Sequence, residues 1–303
     1  MWEERRGWVL REEDSGGAVN FAEAAPAPGF PGPPDGEIET RLAGWVRSGD
    51  RSGWRGTGCL GFADWCLGVS LPAEVGVPSA GLLAEDDRTA AAGASYPVYK
   101  VKIGVRPAAE ERAWLEGLLA RTPARVRFRP DGNRSLGWEE TRRWLDWMEG
   151  RERIEFLEQP LPAGAEARIV REFGEERARR IALDESVAAE GALRELVESG
   201  WPGWLVVKPA LLGEPGRLLS LPAGARRRLV LSSVFETGIG FSHVLLLATL
   251  LGGGRAADGL GTRGFFGPDG LDGWSPSPSH RGRLTASFFG EIWNRVLERA
   301  SGG

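Results

Sequence analysis

The chain has 303 residues, 42% of them hydrophobic, which is enough for one large α/β domain or two smaller domains. Its 38 basic and 42 acidic side chains are interspersed and give a net charge of −4, which argues against a nucleic-acid-binding surface. No apolar run is long enough to span a bilayer, and the N-terminus lacks the pattern of a signal peptide. Cys59 and Cys66 fit neither a disulfide framework nor a zinc motif, so we expect reduced core thiols. We therefore predict a cytoplasmic protein that binds neither nucleic acid nor membrane.

The first 90 residues have the pattern of a small α+β domain. Residues 8–11 and 18–22 are strand-like and flank a turn at 14–17, which predicts a β-hairpin. A loop rich in proline and glycine follows over residues 24–36. Residues 37–69 then place apolar side chains at helical spacing, which favours a domain over a linker.

From residue 98 onward, short apolar runs alternate with amphipathic stretches rich in arginine and glutamate. This alternation predicts consecutive parallel β/α units and favours a (β/α) barrel over a two-layer sheet. Glycine, proline and serine return from residue 264 and precede an amphipathic helix over residues 288–299. We therefore predict an α+β domain at 1–90, a barrel domain at 91–263, and a tail at 264–303 that packs back on the first domain.

Three carboxylates follow the predicted strands at intervals of one β/α unit. Asp131, Glu158 and Asp184 are 27 and 26 residues apart (158 − 131 and 184 − 158). The carboxyl ends of barrel strands share one mouth, where converging carboxylates repel each other unless a cation lies between them. One such residue alone would more often be a turn residue or a helix N-cap, as Asp184 could be. Three in register predict a site for Mg²⁺, with Mn²⁺ as an alternative ion.

Only three of the 38 basic residues are lysine, and all three lie in apolar, strand-like runs. Lys100 and Lys102 are two apart and therefore share one face of a strand, while Lys208 ends a later strand. Neighbouring ammonium groups and a nearby Mg²⁺ lower the pKa of a lysine toward a value useful for general-base catalysis. Arginine cannot release its proton at neutral pH, so these positions suit a titratable amine. The alternative is an edge strand with two solvated lysines.

Five motifs resemble, in chain order, the barrel motifs of the enolase superfamily, and the paired lysines resemble its muconate-lactonizing subgroup: KVK (100–102), DGN (131–133), EFLEQP (155–160), LDES (183–186) and VVKP (206–209). The loop NFAEAAPAPGF (20–30) resembles the capping-domain loop of that superfamily. Gln159 stands where the pattern more often has glutamate, a difference that removes no expected ligand. The resemblance implies a modified TIM barrel, (β/α)7β, with an N-terminal α+β capping domain that the C-terminal tail completes.

The resemblance also implies roles for individual residues. Asp131, Glu158 and Asp184 would bind Mg²⁺, Lys102 would remove the substrate proton, and Lys208 would face it across the substrate. Lys100 would lower the pKa of Lys102 and would also be a substrate-binding residue, in contact with the substrate carboxylate. The remaining candidates for substrate binding or for closing the site are Asn133, Ser232, Ser233, Gly238, Gly240 and Phe30.

Within the superfamily, two subgroups fit the sequence poorly. The mandelate-racemase type requires a barrel histidine, yet the only histidines are His243 and His280, neither at a predicted strand end. Dipeptide epimerases carry a DxD signature at the eighth strand, where residues 257–266 contain the single Asp258.

SSVFETGIG (232–240) and GLGT (259–262) resemble the o-succinylbenzoate synthase family. That resemblance implies Mg²⁺-dependent syn-dehydration of 2-succinyl-6-hydroxy-2,4-cyclohexadiene-1-carboxylate in menaquinone or phylloquinone biosynthesis. The substrate would be a small carboxylate, and the protein a monomer or dimer. The alternatives are an N-succinylamino-acid racemase or a dipeptide epimerase, and, from another class, a non-enzymatic barrel scaffold. The expected buried charges count against a scaffold, which has no need of them.

Overall fold

The structure is a computed structural model that describes residues 5–83, 95–188, 190–253, 255–262 and 270–301. Its strands are β1 Trp8–Glu13, β2 Val19–Ala24, β3 Ala73–Leu83, β4 Val98–Lys102, β5 Arg127–Asp131, β6 Leu157–Glu158, β7 Ile181–Leu183, β8 Trp204–Val207, β9 Leu229–Leu231, β10 Asp258–Gly261 and β11 Ser279–Leu284. Its α-helices are α1 Asp35–Ser48, α2 Gly58–Leu67, α3 Ala108–Arg121, α4 Trp138–Met148, α5 Glu166–Ala178, α6 Glu190–Glu198, α7 Ala223–Arg226, α8 Gly238–Leu250 and α9 Ala286–Ser301.

Strands β3 to β10 form a parallel barrel in which each strand pairs with the next along the chain from β3 to β9. Strand β10 pairs with β3 in parallel, and a parallel bridge between Ser232 and Gly259 joins the end of β9 to β10. The sheet therefore closes on itself. Within the described chain, its only antiparallel strand is β11, which pairs with the first half of β3. The predicted barrel is confirmed.

The alternation of side chains along the strands decides which residues reach the barrel interior. Phe156, Ala182, Val206 and Val230 form a separate buried cluster inside the barrel. The residues two positions further on face the same way, because side chains on a strand alternate with a period of two. These are the residues at the carboxyl ends of four strands, namely Glu158, Asp184, Lys208 and Ser232. The apolar layer is therefore the floor of the site.

The N-terminal hairpin is present as predicted, with β1 and β2 antiparallel and Trp8 opposite Ala24. The rings of Phe289 and Trp293 on α9 lie 6.0 and 6.1 Å from the ring of Phe21 on β2, so the C-terminal helix contacts the hairpin. One predicted boundary needs correction. Strand β3 begins at Ala73 and pairs with barrel strands, so a capping domain that ends at residue 90 would include the first barrel strand. The rest of the domain division stays a prediction, and the start of the predicted tail lies outside the described residues.

Two smaller expectations concern the core and the surface. Cys59 and Cys66 are buried free thiols, as predicted. Burial raises the pKa of Cys59 to about 12, which keeps the thiol protonated. In the described part of the chain, every helix is too short or too polar to cross a membrane.

Candidate active site

Three buried carboxylates lie at the carboxyl ends of three neighbouring barrel strands. Asp131 ends β5 and pairs in register with Glu158, which ends β6. Asp184 directly follows β7, the next strand of the sheet. Their exposed fractions are 7%, 2% and 7% respectively. The structure therefore brings together the three residues predicted to bind a metal ion.

Lys100 binds two of these carboxylates. Its Nζ lies 2.8 Å from Asp131 Oδ2 and 2.7 Å from Glu158 Oε1. Burial lowers the pKa of Lys100, but Asp131, Glu158 and Asp184 outweigh it, so that its pKa lies well above its ordinary value. The expectation that the lysine pair lowers the pKa of both members is therefore wrong for Lys100, because carboxylates surround its ammonium group.

The carboxylates also perturb each other. Burial raises the pKa of Glu158 to about 7, Lys100 opposes this rise, and Asp131 and Asp184 add to it. A carboxylate that its neighbours make difficult to ionise is stabilised by any cation placed between them. The electrostatics of the site therefore favour a bound cation.

Lys208 faces the third carboxylate and an aromatic ring from the N-terminal region. Its Nζ donates a hydrogen bond to Asp184 Oδ1 and lies 4.8 Å from the centre of the Phe30 ring. Asp184 stands at the N-cap of a short 3-10 helix but makes no side-chain cap bond there, so it is not the helix cap that its position allowed. Phe30 belongs to the loop after β2, which therefore reaches the mouth of the barrel at Lys208.

Lys102 ends β4 in register with Asp131, but its side chain is exposed. It borders a cavity of about 390 Å³ that is also lined by Arg106 and by Trp114 and Arg121 of helix α3, among others. In the described ranges, no hydrogen bond or ion pair to Lys102 is found. The predicted role of Lys102 as the base therefore stays a prediction.

Asn133 lies in the loop after β5 with an exposed side chain and a positive φ of 44°. Its backbone N–H donates to Asp131 Oδ1 at 2.9 Å, and its Nδ2 donates to Glu185 Oε1 at 3.3 Å. In this structure Asn133 orients the Asp131 carboxylate and links two loops of the mouth.

Three of the predicted substrate-binding groups bind other protein groups instead. Ser233 Oγ donates to Glu236 Oε2 at 2.5 Å. The backbone N–H of Gly238 donates to Leu271 O at 2.6 Å, and that of Gly240 donates to Glu23 Oε2 at 3.3 Å. These donors already have acceptors within the protein, and the prediction that they hold a substrate carboxylate stays a prediction.

Ser232 stays a candidate. It directly follows β9 with a half-buried side chain, and among the described residues its Oγ makes one long hydrogen bond, of 3.4 Å, to Gly259 O.

Sequence reasoning missed the role of Glu23, a buried carboxylate of β2. Its Oε2 accepts hydrogen bonds from Thr237 N at 2.8 Å and Thr237 Oγ1 at 2.5 Å, at the start of helix α8. Burial raises its pKa, against the opposing effect of Arg5, which lies 3.8 Å away. The signal that could have revealed it is its place inside the capping-loop motif at residues 20–30.

Asp258 is buried where the end of β9 meets β10. It is the first residue of β10, its Oδ2 lies 2.9 Å from Arg255 Nη2, and its Oδ1 accepts from Leu231 N at 2.7 Å. Asp258 therefore has a structural role, because protein donors bind both of its carboxylate oxygens. Residues 263–266 of this motif lie outside the described residues.

The donor set fits a hard divalent cation. Within the described ranges, no three His, Cys, Asp or Glu side chains are gathered as a ready-made metal site, since Lys100 and Lys208 bind the carboxylate oxygens. Oxygen ligands from buried carboxylates on adjacent strands are nonetheless what Mg²⁺ prefers. A metal ion would bind Asp131, Glu158 and Asp184 in place of the ammonium groups.

Comparison with known proteins defines the class. Residues 83–252 match the family model described as Enolase C-terminal domain-like, and the chain belongs to this family. The resemblance to the enolase superfamily is confirmed. Within it, the chain is 29% identical to the o-succinylbenzoate synthase of Thermosynechococcus vestitus, over 98% of this chain and 93% of that protein. A synthase from Yersinia pseudotuberculosis is 30% identical over 65% of this chain and 60% of its own length.

Solved structures show the same relationship. The chain is similar to the o-succinylbenzoate synthase of Thermosynechococcus elongatus BP-1, complexed with Mg in its active site (TM-score 0.74, 28% identity, 97% of this chain and 93% of that one). The muconate lactonizing enzyme of Pseudomonas putida shares the fold (TM-score 0.62, 17% identity, 80% of each chain). So does the dipeptide epimerase of Methylococcus capsulatus (TM-score 0.67, 19% identity, 84% of each chain).

Proposed function

We propose that this chain is an o-succinylbenzoate synthase. It would dehydrate 2-succinyl-6-hydroxy-2,4-cyclohexadiene-1-carboxylate to 2-succinylbenzoate, a step of menaquinone or phylloquinone biosynthesis. The observation that carries the proposal is the similarity to a synthase over 98% of the chain, which includes every element of the candidate site. A small carboxylate substrate and a cytoplasmic location follow from the same proposal, and a monomer or dimer remains expected.

The metal site would provide the electrostatic part of the reaction. Mg²⁺ bound by Asp131, Glu158 and Asp184 would stabilise the negative charge that develops on the substrate carboxylate. Lys208 would add a second positive charge at the same mouth, next to Asp184. The Phe30 ring, which lies 4.8 Å from Lys208 Nζ, would help to exclude water from the reacting groups.

Lys102 would provide the proton transfers. In its neutral form it would take the proton α to the ring carboxylate, and the ammonium group so formed would protonate the departing hydroxide as water. Both events would occur on one face of the ring, which is what a syn elimination requires. Lys102 shares a face of β4 with Lys100, and bound substrate would draw its exposed side chain over the mouth, because catalytic contacts often tighten only in the complex.

An N-succinylamino-acid racemase or dipeptide epimerase would use the same lysines and carboxylates. The contacts of Asp258 disfavour the dipeptide epimerase, because this carboxylate is buried and already bound to Arg255 and to the backbone N–H of Leu231. Residues 257–266 contain no second aspartate that could complete a DxD signature.

The deciding experiment compares the two activities in one preparation. With added Mg²⁺, the purified protein should convert the cyclohexadiene substrate to the aromatic product, and EDTA should abolish the conversion. Exchange of the α-proton of dipeptides and N-succinylamino acids, followed in deuterated water, should be slow or absent. Epimerisation faster than dehydration would overturn the synthase assignment and leave the family membership intact.

A further inference from the structure

The backbone of Gln159 connects the three loops that carry the carboxylates. Gln159 follows Glu158, and its N–H donates to Ala182 O at 2.8 Å, two residues before Asp184. Its carbonyl oxygen accepts from Arg134 N at 2.7 Å, in the loop that follows Asp131. One residue therefore joins the ends of β5, β6 and β7.

The side chain of Gln159 makes four further hydrogen bonds and is only 1% exposed. Its Oε1 accepts from the backbone N–H groups of Asp184 at 2.7 Å and Ser186 at 3.3 Å. Its Nε2 donates to Ser186 Oγ at 2.9 Å and to Leu161 O at 2.8 Å. The amide therefore has every hydrogen-bonding group engaged on two of the three loops.

In this chain the contacts at position 159 use both the donor and the acceptor of an amide, and the backbone there is strained. An ionised glutamate would still accept from the Asp184 and Ser186 amides, but it has no proton to donate to Leu161 O. Gln159 is the only glutamine among the 303 residues, in a chain that has 42 acidic ones. Its φ of 31° lies in the left-handed region, which a residue with a side chain occupies only where its surroundings hold it there.

We propose that Gln159 is the positioning residue of the metal site, setting the backbone of Asp184 relative to Glu158 and Asp131. The inference rests on the proposed Mg²⁺ site and adds to it the group that holds its third carboxylate in place. Groups that orient metal ligands typically change metal affinity or activity by about tenfold to a hundredfold when they are replaced.

The test measures metal binding directly, without turnover. Mg²⁺ binding to the metal-stripped full-length protein is measured by titration calorimetry, together with hydrogen exchange at the Asp184 and Ser186 amides. Gln159→Met, which removes both halves of the amide, should raise the Kd for Mg²⁺ by about tenfold or more. It should also speed exchange at both amides. Gln159→Glu keeps the acceptor half and should lose clearly less affinity than the methionine variant.

Two controls keep the test decisive. Thr122→Val removes buried hydrogen bonds to Leu118 and Arg153 away from the carboxylates, and should lower thermal stability without changing the Kd. Ser186→Ala removes one partner of Gln159 and serves if the methionine variant does not fold. Wild-type protein that binds no Mg²⁺ would overturn the proposed function. If the wild type binds Mg²⁺ and Gln159→Met binds it with a Kd within twofold of the wild-type value, the positioning role alone is overturned. If Gln159→Met does not fold, the same conclusion follows when both Gln159→Glu and Ser186→Ala have a Kd within twofold of the wild-type value.

Discussion

The three lysines of the chain have three different environments, although their sequence contexts are alike. Lys100 is held between Asp131 and Glu158, and Lys208 lies between Asp184 and the Phe30 ring. Lys102 alone has an exposed side chain. Of the three, Lys102 is therefore the one whose ammonium group is not bound to a carboxylate within the described residues, which suits its proposed role as the base.

A substitution that keeps the charge but removes the base tests this difference. In Lys102→Arg the guanidinium cannot be deprotonated at neutral pH, so the loss of general-base catalysis should lower kcat by about 10²–10⁴. The variant should retain its fold and its Mg²⁺ affinity, because Lys102 contacts none of the carboxylates in the described structure. Single-turnover dehydration measures the effect, and turnover near the wild-type rate would contradict the role of Lys102.

Helix α8 is buried on all of its faces. Eleven of its 13 residues are buried, and its first turn is capped by Thr237, whose Oγ1 accepts from Ile239 N. His243 lies in its middle, stacked on Phe289 at 5.1 Å, with Nδ1 2.9 Å from Ile239 O. Burial lowers the pKa of His243 to about 4, against the opposing effect of the Ile239 carbonyl. The helix therefore accepts only the neutral imidazole.

This buried histidine makes stability depend on pH. The folded-state pKa lies below the unfolded value near 6.5, so the contribution is complete above that pH and is lost as the pH falls toward about 4. The free energy of unfolding of the wild type, relative to His243→Gln, should fall by about 2 kcal/mol from about pH 7.5 to about pH 5. Urea denaturation of both proteins measures it. Parallel pH profiles would show that His243 does not titrate in this way.

At the scale of the whole molecule, the N-terminal region and the barrel are joined by buried charges as well as by apolar packing. Arg5 Nη1 donates to Val234 O at 2.6 Å, after the end of β9, and lies 3.8 Å from Glu23 Oε1. Glu23 in turn accepts from Thr237 and Gly240 at the start of α8. The hairpin that leads to Phe30 is thereby held on the barrel, which keeps that ring at the mouth.

Replacing Glu23 tests how much this buried carboxylate contributes to stability and to the position of Phe30. In Glu23→Ala, the donors of Thr237 and Gly240 lose their acceptor and the Arg5 guanidinium loses its neighbouring carboxylate, which should cost about 3–5 kcal/mol of stability. Activity should fall at temperatures where the protein is still folded, because Phe30 loses its support. Glu13→Ala, on an exposed residue of the same hairpin, should change stability by less than about 0.5 kcal/mol. Equal stability of the two variants would contradict the role of Glu23.

Local sequence patterns were enough to predict the barrel, the order of its strands and the convergence of Asp131, Glu158 and Asp184 at one end of it. These features are local, since each strand carries its apolar run, and the polar residue at its end is fixed by chain order and a period of two. The hairpin, the C-terminal helix and the free thiols were predictable for the same reason.

The contacts between polar groups of different loops could not be predicted from the sequence. Gly238, Gly240 and Ser233 have the sequence context of ligand-binding groups, but the fold supplies Leu271, Glu23 and Glu236 as their partners. The sequence also did not predict that the pKa of Lys100 is raised, that the Gln159 side chain makes four hydrogen bonds, or that the first barrel strand begins at Ala73. Each depends on contacts between distant parts of the chain, whose distances and burial no local pattern encodes.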